Sequence, residues 1–375
     1  MAESDSTSQS GTRSAYRPDR FSLWRELCSR CGRIWSLADR RWRCSCEGLL
    51  DLLGPQVDPI DRGATGTRSE SSLERYRAAL PPGAGDVDLG LDVTPLLPVA
   101  PEMWVKCEFE HPTGSFKDRG ASVMIGAAAA LGVDAVIVDS SGNAGRAVAA
   151  HAAAASMAAT VYVPAGTDAA KLAAIAGYGA SVVEVPGDRA ATAESAQRRA
   201  DGDAIWYASH VHQPLFHHGV KTLAYEIFEQ LPDPAGATVV VPAGNGTLVL
   251  GLWLGFAELV AARRLVRPPV VVAVQAERCA PLTGRPPVAD DPPTAAAGVA
   301  IPAPPRAAQI RAAALGTGGG IVTVKEEDIL SAREELGRMG LAVEVTGAVA
   351  WAAIRASRPT PARSEGAVVA VLTGR

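Results

Sequence analysis

From Gly132 onward the chain repeats one rhythm: a short β-branched run, a turn, then an alanine-rich amphipathic stretch. This alternation points to parallel α/β architecture, because parallel strands need long crossovers, usually helical, and are then buried on both faces. The apolar runs predict strands at 135–139, 160–163, 181–185, 204–208, 238–241, 270–275, 321–324 and 367–372. Helices are expected to begin near Ala144, Asp168, Arg189, Leu215, Thr247, Ala307, Glu326 and Gly347. So many strands suit two sheets sharing a cleft, with chemistry at the strand C-termini. The proline-rich stretch 281–305 lacks periodicity and is expected to wrap the surface as a long loop.

Composition narrows the partners. Of 375 residues 47% are hydrophobic and 20% charged, enough for a large core and more than one structural unit. With 36 basic against 40 acidic side chains, the formal charge of −4 gives no general attraction to nucleic acid or to an anionic membrane. The first twenty residues are polar, have no apolar h-region and read as a disordered tail without a secretory signal. The most apolar later segment, 239–262, is broken by Pro242, Gly244, Asn245 and Gly246, which suits strand, turn and buried helix better than a membrane span. A cytoplasmic protein acting on a small molecule, with neither nucleic acid nor membrane as partner, is the expectation.

Three strand-to-turn junctions are unusual. SSGNAG, Ser140 to Gly145, exposes backbone N–H groups at a helix mouth beside the Asn143 amide, and so suits a carboxylate or other anion. PAGNGT, Pro242 to Thr247, is a second glycine-rich loop opening a helix and makes a phosphate cradle by the same reasoning. LTG, Leu372 to Gly374, sets the Thr373 hydroxyl at a sheet edge. Singly, each reads as a tight turn, a helix cap or a strand end, and Lys117 in HPTGSFKDRG reads as a lysine paired with its neighbours. Together, a lysine amine, an anion loop, a phosphate loop and a hydroxyl are the parts that hold pyridoxal phosphate.

HPTGSFKDRG, SSGNAG, PAGNGT and the terminal VVAVLTG resemble, in order and spacing, the motifs of the threonine synthase-like family of fold type II pyridoxal-phosphate enzymes, within the tryptophan synthase beta superfamily. The resemblance starts near SLERYRAALPPG and runs through GLDVTPLLPV toward the C-terminus. It implies two three-layer αβα domains with parallel-rich sheets: a large cofactor domain from 57–120 and 213–375, and a small nested domain, 121–212, closing on it. It also implies that Lys117 carries the cofactor covalently and acts as base at Cα, and that Asn143 meets the cofactor's phenolic oxygen. Gly244, Asn245, Gly246 and Thr247 would hold its phosphate and Thr373 its ring nitrogen, with Ser140, Ser141 and Gly142 against the substrate carboxylate. A hydroxyl at the ring nitrogen does not stabilise a pyridinium, which favours elimination or replacement over transamination. A neighbouring cation such as Arg119 is expected to help Lys117 lose its proton.

One segment departs from the family. Phosphohomoserine-using members carry a stretch resembling NPxRxEGQKT; here it is QPLFHHGVKT, with Phe216 in place of the arginine and His218 in place of the glutamate. A guanidinium that could grip phosphate with two hydrogen bonds is lost. Arg146, after the asparagine loop, reads either as a compensating cation or as a solvated first-turn arginine. His210, His212, His217 and His218 have no carboxylates at ligand spacing and are expected to line the cleft. The reading is therefore a PLP-dependent lyase, leading with O-phosphohomoserine to threonine and commonly homodimeric in this family. The alternatives are β-replacement of the cysteate synthase or diaminopropionate synthase type, or a threonine dehydratase-like lyase.

Of six cysteines, four fall in CSRC, Cys28 to Cys31, and CSC, Cys44 to Cys46. Two close pairs around a short hairpin make a zinc-ribbon arrangement over 21–56, with Cys28, Cys31, Cys44 and Cys46 filling all four positions of a structural zinc. Arg25, Arg30, Arg33, Arg40, Arg41 and Arg43 interleave there with Trp24, Trp35 and Trp42. That pattern raises a non-enzymatic alternative, a zinc-dependent binding module on a degenerate enzyme fold.

Overall fold

Valine-rich runs such as 238–242 and 270–276 are almost entirely buried, as strands covered by helices on both faces must be. The computed structural model describes residues 21–60, 71–87, 89–203, 205–284, 292–356 and 366–375. The N-terminal tail expected over the first twenty residues lies outside this range, as does Ala204.

Three sheets result. β1 (Arg25–Cys28), β2 (Ile34–Ser36) and β3 (Leu50–Leu53) form a small antiparallel sheet in the order β2-β1-β3. β4 (Leu96–Ala100) and β5 (Met103–Cys107) make a hairpin that the alternation signal does not predict. β6 (Ala135–Val138), β7 (Ala158–Pro164), β8 (Ser181–Val185) and β9 (Trp206–Tyr207) form a parallel sheet ordered β8-β7-β6-β9. β10 (Thr238–Pro242), β11 (Val270–Ala276), β12 (Gly320–Val324) and β13 (Val368–Leu372) join the hairpin in a six-stranded sheet ordered β12-β11-β10-β13-β5-β4. Only β4 runs antiparallel there.

Helices start close to the expected places, at Asn143, Ala169, Arg189, Pro214, Thr247, Ala307, Glu326 and Val349. The helix that carries the lysine, Lys117–Ala130, is not among those expected. Nearly all its residues are buried, so it has no polar face to set against an apolar one. Of the stretch 281–305, residues 285–291 lie outside the described range, while Ala295, Ala297, Gly298 and Val299 form part of the cleft wall rather than a surface loop.

The lysine helix crosses the Pro214–Val220 helix almost backbone to backbone. A Cβ on Gly219 would lie 2.0 Å from the Arg119 carbonyl oxygen, and one on Gly120 would lie 2.3 Å from the Phe216 ring. Gly219→Ala must push the two helices apart, and overpacking of this kind costs about 1–3 kcal/mol. Urea unfolding of that variant is expected to show a lower midpoint with an unchanged slope.

Candidate active site

The C-terminal ends of β6, β10 and β13 open onto one cavity of about 600 Å³. Its wall brings together Lys117, Ser140, Ser141, Gly142, Asn143, Arg146, Gly244, Asn245, Gly246, Thr247 and Thr373. Backbone pairing explains how distant motifs meet. The Phe116 amide donates to the Thr373 carbonyl at 3.0 Å, Arg375 N to Gly114 O at 3.0 Å, and Ser115 bridges Gly374. The lysine turn is thereby stitched to the end of the last strand.

Lys117 Nζ lies 3.3 Å from Thr247 Oγ1 and 4.3 Å from the centre of the Phe116 ring. Burial, reinforced by the Arg189 charge and opposed by Glu344, lowers its pKa to about 7. Arg119 is not the cation responsible. Its guanidinium is buried between Glu108 and Glu226, with contacts of 2.6 Å to each. Asp118 likewise faces away, accepting from Thr113 N at 2.8 Å.

The phosphate loop has the conformation its glycines require. Gly246 adopts φ +73°, and a Cβ there would strike Ile310 at 2.3 Å. No side chain caps the Thr247–Ala261 helix that follows, so its first amides are free for an anion. In the same cavity Thr373 Oγ1 is buried with no hydrogen-bond partner among the described residues. An uncapped helix mouth, an orphaned hydroxyl and a half-buried low-pKa amine are what a phosphate, a ring nitrogen and an aldehyde require, so the residues fit pyridoxal phosphate.

Asn143 donates from Nδ2 to Glu344 Oε1 at 2.9 Å. Burial raises the Glu344 pKa, while the Asn143 hydrogen bond, Arg146, Lys117 and Lys171 hold it back. Glu344 and Arg189 belong to this wall and were not singled out from the sequence, where each stands alone without motif spacing.

Two expected substrate contacts fall elsewhere. Phe216 is fully buried behind the lysine helix, its ring centre 5.6 Å from Lys117 Nζ, and is not part of the cavity wall. His218 turns toward the N-terminal sheet, its Nε2 at 3.1 Å from the Leu52 carbonyl and its ring edge-on to Trp24. His212 packs on Trp42 and Tyr207, so of the four clustered histidines only His210 lines the cavity.

The residues match the family described as "Pyridoxal-phosphate dependent enzyme" over 87–374. The chain belongs to that family. It is 30% identical to a threonine synthase of Methanocaldococcus jannaschii over 351 residues, covering 88% of this chain and 86% of the relative. A threonine synthase of Methanosarcina acetivorans is 29% identical over 347 residues, covering 88% and 85%. Among solved structures, the processed form of threonine deaminase isoform 2 from Solanum lycopersicum shares the fold, with a TM-score of 0.66 at 22% identity over 85% of this chain and 89% of that one. The architecture is that of the fold type II enzymes.

The N-terminal sheet gathers the sulfur atoms of Cys28, Cys31, Cys44 and Cys46 within 4.8 Å of one another, a set that can bind metal. Cys28 Sγ lies 3.5 Å from Cys46 Sγ, and Cys31 Sγ 3.7 Å from Cys44 Sγ. Tetrahedral zinc thiolates with bonds of about 2.3 Å stand about 3.8 Å apart, so the spacing fits. Burial opposes ionisation at Cys28, but the Cys31 and Arg30 amides hold its thiol below the ordinary value. The Cys46 amide, with help from the Trp35 indole, brings Cys44 to about 6. The arginines interleaved here are engaged internally: Arg41 stacks on Trp35 at 3.8 Å, and Arg43 covers Trp42 at 4.3 Å while pairing with Asp201 at 2.7 Å.

Two outcomes follow from these geometries. Lys117 is protonated below about pH 7 and neutral above it, so uptake of pyridoxal phosphate by apoprotein, followed by absorbance, is expected to quicken as pH rises through about 7. Removing the nearby charge in Arg189→Leu raises the lysine pKa and moves that midpoint upward. Separately, stripping metal with a chelator is expected to lower the melting temperature and red-shift the fluorescence of Trp35, whose indole donates to Cys44 Sγ at 3.4 Å.

Proposed function

We propose that the protein is a PLP-dependent lyase or replacement enzyme that removes a β or γ substituent from an amino acid, with the structural zinc of its cysteine ribbon stabilising the fold. The observation that carries this reading is the half-buried Lys117 amine, 3.3 Å from Thr247 of an uncapped phosphate loop and in one cavity with the orphaned Thr373 hydroxyl. When bound, pyridoxal phosphate supplies an aldehyde that condenses with amines and a ring that delocalises charge developing at Cα. Gly244 to Thr247 would hold its phosphate, Thr373 Oγ1 would meet its ring nitrogen, and Asn143 its phenolic oxygen. The Ser140–Gly142 backbone would receive the substrate carboxylate, and Lys117 Nζ, neutral above about pH 7, would accept the Cα proton.

The threonine synthase relatives support O-phosphohomoserine as the reference substrate. A specific observation favours a second reading, β-replacement or dehydration of an amino acid that carries no phosphate. Phe216 is sealed against Gly120 where phosphohomoserine enzymes carry an arginine, so no guanidinium reaches the cleft from that helix.

Assaying purified holoprotein for phosphate release from O-phosphohomoserine, and for keto acid or replacement product from O-acylated serines and threonine, separates the two. Lys117→Ala is expected to abolish every activity and the visible cofactor band. Retention of either would sink the proposal.

A further inference from the structure

Behind the catalytic lysine the cleft holds polar groups that the assignments above leave only partly used. Arg189 heads the Arg189–Asp203 helix and forms part of the cavity wall; it is exposed, and its guanidinium makes no hydrogen bond or ion pair among the described residues. Lys117, Asp139 and His210 line the same cavity, and all three feel its positive charge. His210 is 7% exposed and lies on the same wall. Its Nε2 stands 3.3 Å from Asn245 Nδ2, and its Nδ1 is buried with no partner among the described residues.

Burial above all, with the charges of Lys117 and Arg189, holds the His210 pKa well below its ordinary value, so the ring is neutral. A neutral imidazole that accepts the Asn245 amide at Nε2 carries its proton on Nδ1, and that N–H is then an unmet donor. A solvent-accessible charged fork and an unmet buried N–H line the same cavity, and the buried N–H needs an acceptor.

We propose that Arg189 and His210, the latter held in its tautomer by Asn245, form an anion subsite that determines specificity by receiving the far end of the amino-acid substrate when that end is a singly charged oxyanion, a carboxylate or sulfonate. The inference rests on the amino-acid chemistry proposed above. The limit to one charge comes from Asp139. Its carboxyl group also lines the cavity, accepting from Tyr207 Oη at 2.7 Å, and it opposes the Arg189 charge. A dianionic phosphate would meet one guanidinium and one carboxyl, with the helix that could have supplied a second guanidinium presenting Phe216 instead.

The test is calorimetric titration of full-length, cofactor-loaded protein with four length-matched amino acids: L-glutamate, L-homocysteate, L-2-amino-4-phosphonobutyrate and L-norvaline. The carboxylate and sulfonate are expected to bind at least about tenfold tighter than norvaline, the scale of one charge-assisted hydrogen bond. Arg189→Leu should abolish that preference, read as each ligand's affinity relative to norvaline in the same variant, and Arg189→Lys should restore part of it. Glutamate and homocysteate binding no tighter than norvaline, or an Arg189→Leu loss equal for all four ligands, overturns the subsite. Tightest binding by the phosphonate overturns the single-charge assignment. The cofactor absorbance of the same samples separates the failures: a band that never forms counts against the proposed function, while titration of the protein still reads Arg189.

Discussion

A buried four-charge cluster underlies the lysine helix. Arg119 bridges Glu108 and Glu226, and Lys106 Nζ contacts Glu226 at 2.6 Å, all four side chains at most 1% exposed. Burial alone would raise both carboxyl pKa values, but Arg119 holds Glu108 well below the usual range and, with Lys106, brings Glu226 to about 2. Such a cluster adds little net stability over an apolar core, yet removing one partner strands an uncompensated charge, so it enforces a single geometry. Its members come from β5, from the turn after it, from the lysine helix and from the Thr222–Gln230 helix. Those elements are thereby locked in one register, and Lys117, two residues before Arg119, inherits a fixed position.

The rest of the site is brought in by sheet pairing. β13 lies between β10 and β5, so Thr373 and the phosphate loop leave neighbouring strands in the same direction. The anion loop belongs to the other sheet, and the Asn143 contact with Glu344 joins the two walls. The ribbon also touches both sides, through Trp42 to Asp201 and through Asp51 to Arg306 at 2.8 Å.

Periodicity made most of the strands and helices legible, because each crossover unit has one repeating apolar signature and glycine-rich turns mark its ends. Elements buried on every side escaped it: the lysine helix has no polar stripe, and Gly120 and Gly126 within it resemble turn residues. The motif residues of the cofactor loops were readable because backbone geometry ties them to fixed spacing. His218 and Phe216 were not, since motif alignment fixes their place in the chain but not which face of a short helix they occupy. Arg189, His210 and Glu344 come from three separate elements, and their meeting is a property of the fold alone.

The insertion of β13 between β10 and β5 has a kinetic consequence. β5 pairs with a strand whose residues lie some 265 positions later, as in the register of Met103 with Val368. During synthesis, β5 and β10 emerge long before the strand that must separate them, each with an unpaired hydrogen-bonding edge. Contacts of such high sequence separation fold slowly, and open apolar edges invite intermolecular pairing in the interval. The same strand that completes the cofactor site is therefore the one whose late arrival sets how long the nascent chain is vulnerable to aggregation.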